Sequence, residues 1–135
     1  MMQASQIKKL GDALFDALTA CTTLPPLTSQ HAGITVDDAY AIQQRLMARR
    51  LAAGEKVIGK KIGVTSQAVM DMLGVDQPDF GWLTDAMVYG EGEAIPMSRL
   101  IQPKAEGEIA FVLKKTLKGP GVSVADVLAA TDGVM

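Results

Sequence analysis

Apolar positions in the first part of the chain recur at helical spacing. Ile7, Leu10, Leu14, Phe15, Leu18 and Cys21 fall three and four residues apart, which predicts a helix over 6–21 with Cys21 on its buried face. Pro25 and Pro26 prevent continuation, so 22–33 reads as a loop that holds His31 in solvent. Thr35-Val36-Asp37-Asp38 has the form of a capping box, with Asp in place of the usual Glu, and opens a second helix. Its apolar face runs Val36, Ala39, Tyr40, Gln43, Leu46, Met47, Leu51, and Gly54 closes it as a C′ glycine. Arg45, Arg49 and Arg50 lie largely off that face. They read as a solvated side of the helix, or as a grip for an anion.

From Lys56 to Val64 the period becomes two, which predicts a strand. One face carries Ile58, Lys60, Ile62 and Val64. The other carries Val57, Gly59, Lys61 and Gly63. Glycine inside a strand marks a bulge or the close approach of a ligand or another backbone. A short helix follows over 66–73, closed by Gly74. Residues 75–84 read as a loop, because Gln77-Pro78-Asp79-Phe80-Gly81 is turn chemistry. Short strands are expected at 86–89 and 94–97, and a longer one within 101–113. Leu117 to Gly121 holds a Gly-Pro-Gly turn, and Ser123-Val124-Ala125-Asp126 caps a last helix to about Thr131.

Composition narrows the class. The chain has 135 residues, 48% hydrophobic and 21% charged, as in an ordinary globular protein. The longest unbroken apolar run is Ile109 to Leu113, far short of the about 20 residues a membrane span needs. Charge is nearly balanced, with 13 basic and 15 acidic residues, which leaves no broad basic footprint for nucleic acid. The single cysteine, Cys21, excludes an internal disulfide and a thiolate cluster and suits a cytoplasmic location. With one histidine, chemistry must run on Lys, Asp, Glu, Ser, Thr or backbone. The eight methionines read as core filler.

Two constellations could carry chemistry. On a strand, residues two apart share a face, so Glu106 and Glu108 point the same way, roughly 7 Å apart at the backbone. Such carboxylates repel unless something neutralises them, and their oxygens suit a hard divalent ion, Mg²⁺ or Mn²⁺. The same spacing also describes a solvated strand face, and two carboxylates are an incomplete cage. Lys61, on its glycine-cleared face, could be a charge partner or proton carrier. Asp79, on a proline-containing loop, could be a general acid or base if that loop closes over a pocket. A surface lysine and a turn-forming aspartate fit the pattern equally.

Four segments in order are more specific. Gly59-Lys60-Lys61-Ile62-Gly63-Val64-Thr65-Ser66, Gln77-Pro78-Asp79-Phe80-Gly81, Pro103-Lys104-Ala105-Glu106-Gly107-Glu108-Ile109-Ala110-Phe111 and Leu117-Lys118-Gly119-Pro120-Gly121 together resemble the 2-oxopent-4-enoate (2-hydroxypenta-2,4-dienoate, vinylpyruvate) hydratases of the fumarylacetoacetate-hydrolase fold family. The resemblance runs from about Leu10 to Met135. It implies an α+β fold: helices over 1–54, then the start of a mixed β-roll over 55–135, the whole forming one partial domain. It also implies a metal-dependent carbon–oxygen lyase of aromatic meta-cleavage catabolism, with a small 2-oxo or 2-hydroxy dienoic acid as substrate and a homo-oligomeric assembly.

By the same resemblance, Glu106 and Glu108 are metal ligands for Mg²⁺ or Mn²⁺, Lys61 and Asp79 are catalytic, and the backbone at Leu83 helps orient water. Family members are about twice this length, and the third metal-binding glutamate is expected beyond Met135. The polypeptide alone is therefore expected to be a poor or inactive catalyst. Two alternatives stay open: the sister 4-oxalocrotonate (2-oxo-3-hexenedioate) decarboxylases, and a non-catalytic assembly fragment. In the decarboxylases the loop typically lacks the aspartate that Pro78-Asp79-Phe80-Gly81 keeps here.

Overall fold

The first element of the chain is a helix, and its start is set by a reciprocal box. In a computed structural model that describes residues 1–135, α1 spans Ala4–Thr19, with Gln3 and Gln6 exchanging side-chain and backbone hydrogen bonds at its N-terminus. Cys21 lies outside this helix, exposed and with φ of 50°, so the expected buried face stops short of it. The expected loop after it contains one helical turn, α2 (Leu27–Gln30), and leaves His31 half-buried rather than in solvent.

The longest helix, α3 (Val36–Ala52), begins where its box predicts: Thr35 Oγ1 accepts from the Asp38 backbone, and the Asp38 carboxylate accepts from the Thr35 backbone in return. Asp38 also accepts from the Met2 backbone N–H at 2.7 Å, which ties the chain's start to this turn. That bond, followed by those from Thr35, holds the Asp38 carboxyl below its usual range.

Helices α1 and α3 pack with Leu10, Ile42 and Met47 among the buried side chains. Gly11 permits the close approach, since a methyl group there would lie 2.5 Å from the Arg45 Cβ. The arginines are not a solvated face. Arg45 and Arg49 bind the Asp12 carboxylate at 2.6 and 3.1 Å, and the Arg49 guanidinium lies 4.4 Å over the Phe15 ring. Lys8, with Arg49 and Arg45, holds the Asp12 carboxyl far below the ordinary carboxylate range. Arg50 is buried, donating to Glu55 at 2.7 Å and to Thr84 Oγ1 at 3.1 Å.

Strand β1 (Val57–Gly63) pairs antiparallel with β2 (Asp79–Thr84), and the helix α4 (Gln67–Leu73) lies between them in sequence. Ser66 caps α4 and left-handed Gly74 ends it. The segment read as a loop is thus largely a strand. Its proline lies just ahead of the ladder at 78, where no backbone donor is needed. The strands expected at 86–89 and 94–97 are single 3-10 turns, Asp85–Met87 and Met97–Arg99.

The chain divides into two compact units, Met1–Ile101 and Gln102–Met135. In the second, β3 (Phe111–Leu113) pairs antiparallel with β4 (Thr131–Val134), an unforeseen strand that follows α5 (Val124–Ala130) directly. The Ser123–Asp126 box opens α5 as predicted, and its bonds lower the Asp126 carboxyl. No helix is long and apolar enough to cross a membrane.

Candidate functional site on the β1–β2 sheet

The ladder between β1 and β2 fixes which side chains share a face. Gly59 stands opposite Leu83, Lys61 opposite Gly81, and Gly63 opposite Asp79. Directly opposed residues of an antiparallel pair lie on one face, and diagonal partners are within reach of long side chains. Lys61, Asp79 and Leu83 therefore occupy a single face, and the other three positions of that face are glycines. The structure brings together these three sequence-predicted residues. Asp79 reaches the face from the first position of a strand, not from the expected loop.

Gly63 sits where Lys61 and Asp79 converge. A methyl group on its Cα would lie 2.5 Å from Asp79 Oδ1 and 2.9 Å from Lys61 Nζ. The two charged groups are thus no farther apart than the sum of those distances, yet they form no ion pair within 4.0 Å. A spacing of this kind suits one water bridging an ammonium and a carboxylate. Immediately after Gly63, Val64 takes φ of 56°, a conformation that costs a β-branched residue about 1–3 kcal/mol.

The opposite face is tied to α3. Phe80 stacks on Tyr40 at 4.7 Å between ring centroids, and its backbone N–H donates to the Tyr40 hydroxyl at 3.3 Å. Gln43 Nε2 donates to the Phe80 carbonyl at 3.3 Å, while its Oε1 is buried without a partner. Lys60 Nζ lies 4.5 Å over the Trp82 ring. A bulge between Val57 and Gly59 shifts the register, so Val57 pairs with Thr84 and joins Met47, Leu51 and Trp82 around a small apolar cavity. A second cavity of about 270 Å³ is lined by Val36, Ala39, Tyr40, Gln43, Asp79 and Phe80. Sequence reading placed Tyr40 and Gln43 on the apolar face of α3. Only the pairing of β2 shows that they hold the strand that carries Asp79.

Glu106 and Glu108 belong to the second unit, and both are exposed. They precede β3 in a stretch without regular structure, so the expected strand face that would align them is not formed there; β3 begins only at Phe111. Their oxygens are the donor type a hard divalent ion takes. No group of three His, Cys, Asp or Glu residues able to hold a metal occurs in the chain, and two carboxylates are fewer donors than such an ion takes.

No family model matches the chain. It is 64% identical over 135 residues to a 2-hydroxypent-2,4-dienoate hydratase of Pseudomonas putida, a match covering 99% of this chain and 61% of that protein. It is 57% identical over 130 residues to a 2-hydroxyhexa-2,4-dienoate hydratase of Comamonas testosteroni, covering 95% and 49%. The chain is thus similar to part of these dienoate hydratases. Among solved structures, 4-oxalocrotonate decarboxylase from Pseudomonas putida G7, complexed with calcium and acetate, matches with a TM-score of 0.92 at 35% identity, over 99% of this chain and 52% of that one. The same enzyme complexed with magnesium and adipate matches at 0.86 and 34%, over 99% and 51%. The mixed helix and strand order is thus that of a metal-binding enzyme's fold. The chain spans about half to three fifths of the length of these relatives.

Proposed function

We propose that this polypeptide carries part of the active site of a hydratase that adds water to 2-hydroxypenta-2,4-dienoate, giving 4-hydroxy-2-oxopentanoate. The observation that carries the reading is the gathering of Lys61, Asp79 and Leu83 on one glycine-cleared face of the β1–β2 sheet. The 64% identity to a dienoate hydratase, against 35% to the decarboxylase, favours hydration over decarboxylation. Asp79, present between Pro78 and Phe80, favours it too.

Each residue then has a task set by its chemistry. The Lys61 ammonium offsets the negative charge of the substrate carboxylate and of the enolate oxygen. Asp79 carries the proton that leaves the enol oxygen as carbon is protonated, and it then orients the water that adds to the conjugated carbon. The backbone at Leu83 holds that water from the far end of the same face. Glu106 and Glu108 are the chain's ligands for a divalent cation, Mg²⁺ or Mn²⁺. Such an ion, when bound, draws electron density toward the 2-oxo carboxylate end of the substrate. The fold that frames this chemistry is the start of the fumarylacetoacetate-hydrolase β-roll, in a homo-oligomer.

The test supplies freshly generated dienol with Mg²⁺ or Mn²⁺ and follows loss of dienol absorbance, product mass and CO₂. Formation of 4-hydroxy-2-oxopentanoate without CO₂ is the expected result, slower than in a full-length relative because two carboxylates hold the ion weakly. Release of CO₂ from 2-oxo-3-hexenedioate, with no hydration of the dienol, would overturn the reading in favour of the decarboxylase.

A further inference from the structure

We infer that Gly63 is a positioning residue: its missing side chain is what lets the Lys61 ammonium and the Asp79 carboxylate converge on one spot. The inference deepens the proposed function and rests on its assignment of Lys61 and Asp79 as the working pair. Three glycines share this face, and they differ in what a methyl group would meet. At Gly59 the nearest atom would be Leu83 Cδ1 at 3.8 Å, an ordinary contact. At Gly81 it would be Lys61 Cγ at 3.4 Å, a contact at the close end of the ordinary range. At Gly63 it would be Asp79 Oδ1 at 2.5 Å and Lys61 Nζ at 2.9 Å, the polar tips of both groups.

Backbone freedom does not explain the glycine, because Gly63 is not among the glycines with positive φ. What the position demands is empty space. A methyl group there drives the two flexible tips apart and leaves the ladder intact. Gly63 opposes Asp79 directly and is two residues from Lys61 on the same face, so no other position on this face touches both tips.

The experiment reads spacing without substrate. A carbodiimide joins a lysine to a nearby carboxylate as an amide, taking up the lost oxygen as its urea. Peptide mass mapping then compares the Lys61–Asp79 link with the Lys8–Asp12 link, whose ion pair at 2.7 Å lies on α1 and serves as an internal reference. In the unmodified chain and in Gly59→Ala both links form. In Gly63→Ala the ratio of the first to the second falls on the order of tenfold, since a displacement of about 1 Å strongly suppresses a proximity-driven reaction. General loosening of the fold lowers both links together and leaves the ratio unmoved.

An unchanged ratio in Gly63→Ala, or no Lys61–Asp79 link in the unmodified chain, overturns the inference. Should Gly63→Ala lose both links by unfolding, nuclear Overhauser contacts in the unmodified chain decide. Contacts from the Gly63 Hα protons to the end of the Lys61 side chain sustain the inference, and their absence overturns it. Because no turnover is needed, CO₂ release without hydration alongside an intact Gly63 effect sinks the hydratase reading alone. An active protein without the effect sinks only this inference.

Discussion

Thr84 ends the strand that carries Asp79, Gly81 and Leu83, and it is fully buried. Its hydroxyl donates to Glu55 Oε2 at 2.5 Å and accepts from Arg50 Nη2 at 3.1 Å, while Arg50 Nε binds the same glutamate oxygen at 2.7 Å. One hydroxyl thus closes a triangle that fastens β2 to the C-terminal end of α3. Thr84→Val keeps the shape and removes both bonds. A hydrogen bond to a charged group contributes about 1.5–3 kcal/mol. Arg50 and Glu55 retain each other, and the Glu55 side chain is 22% exposed, so water replaces part of the loss. The expected cost is about 2 kcal/mol, or a fall in Tm of roughly 10 °C for a unit of this size. Thr84→Ser keeps both bonds and gives up one buried methyl, about 1 kcal/mol. Urea unfolding followed by circular dichroism ranks the two. The reasoning requires valine to be the more damaging. A reversed order, or a valine variant within about 0.5 kcal/mol of the parent, refutes it.

Gly11→Ala places a methyl group 2.5 Å from the Arg45 Cβ and 2.9 Å from the Ile42 carbonyl oxygen. Overpacking of about 1–3 kcal/mol outweighs the better helix propensity of alanine, so thermal melting shifts down, not up. Asp12, Asp38 and Asp126 have native carboxyls held below their unfolded values, so their contribution to stability is complete above the unfolded pKa near 4. It is lost as pH falls from there toward the depressed native values, and Asp38→Asn flattens that acid limb in a series of melts. Glu106→Gln and Glu108→Gln each weaken Mg²⁺ binding in calorimetric titrations by roughly tenfold, equivalent to ~1.4 kcal/mol, and unchanged affinity contradicts a ligand role.

Local signals were legible along the chain. The Thr35–Asp38 and Ser123–Asp126 boxes, and Gly74 after α4, act through neighbours a few residues away, and the structure carries them as read. What escaped depends on distant partners. β2 reads as a turn because Pro78, Asp79 and Gly81 break its apolar alternation. It becomes a strand because β1 lies beside it and Tyr40 and Gln43 hold its backbone. Arg45 and Arg49 look solvated until α1 brings Asp12 and Asp16 against them. The segment 104–109 has the alternation of a strand, yet backbone pairing begins only at Ala110, opposite Met135. The candidate site followed the same division. Lys61 was marked by its flanking glycines, whereas its juxtaposition with Asp79 required the register.

The central claim is that the Lys61, Asp79 and Leu83 face receives a 2-oxo acid. Its most direct test is nuclear magnetic resonance of the isotopically labelled chain, titrated with 2-oxopentanoate and Mg²⁺, a saturated analogue that cannot turn over. The account predicts saturable amide shifts at Gly59, Lys61, Gly63, Asp79, Gly81 and Leu83, lost in Lys61→Met while the remaining spectrum is retained. Saturable shifts confined to other residues, or none on this face at saturating analogue, would contradict it.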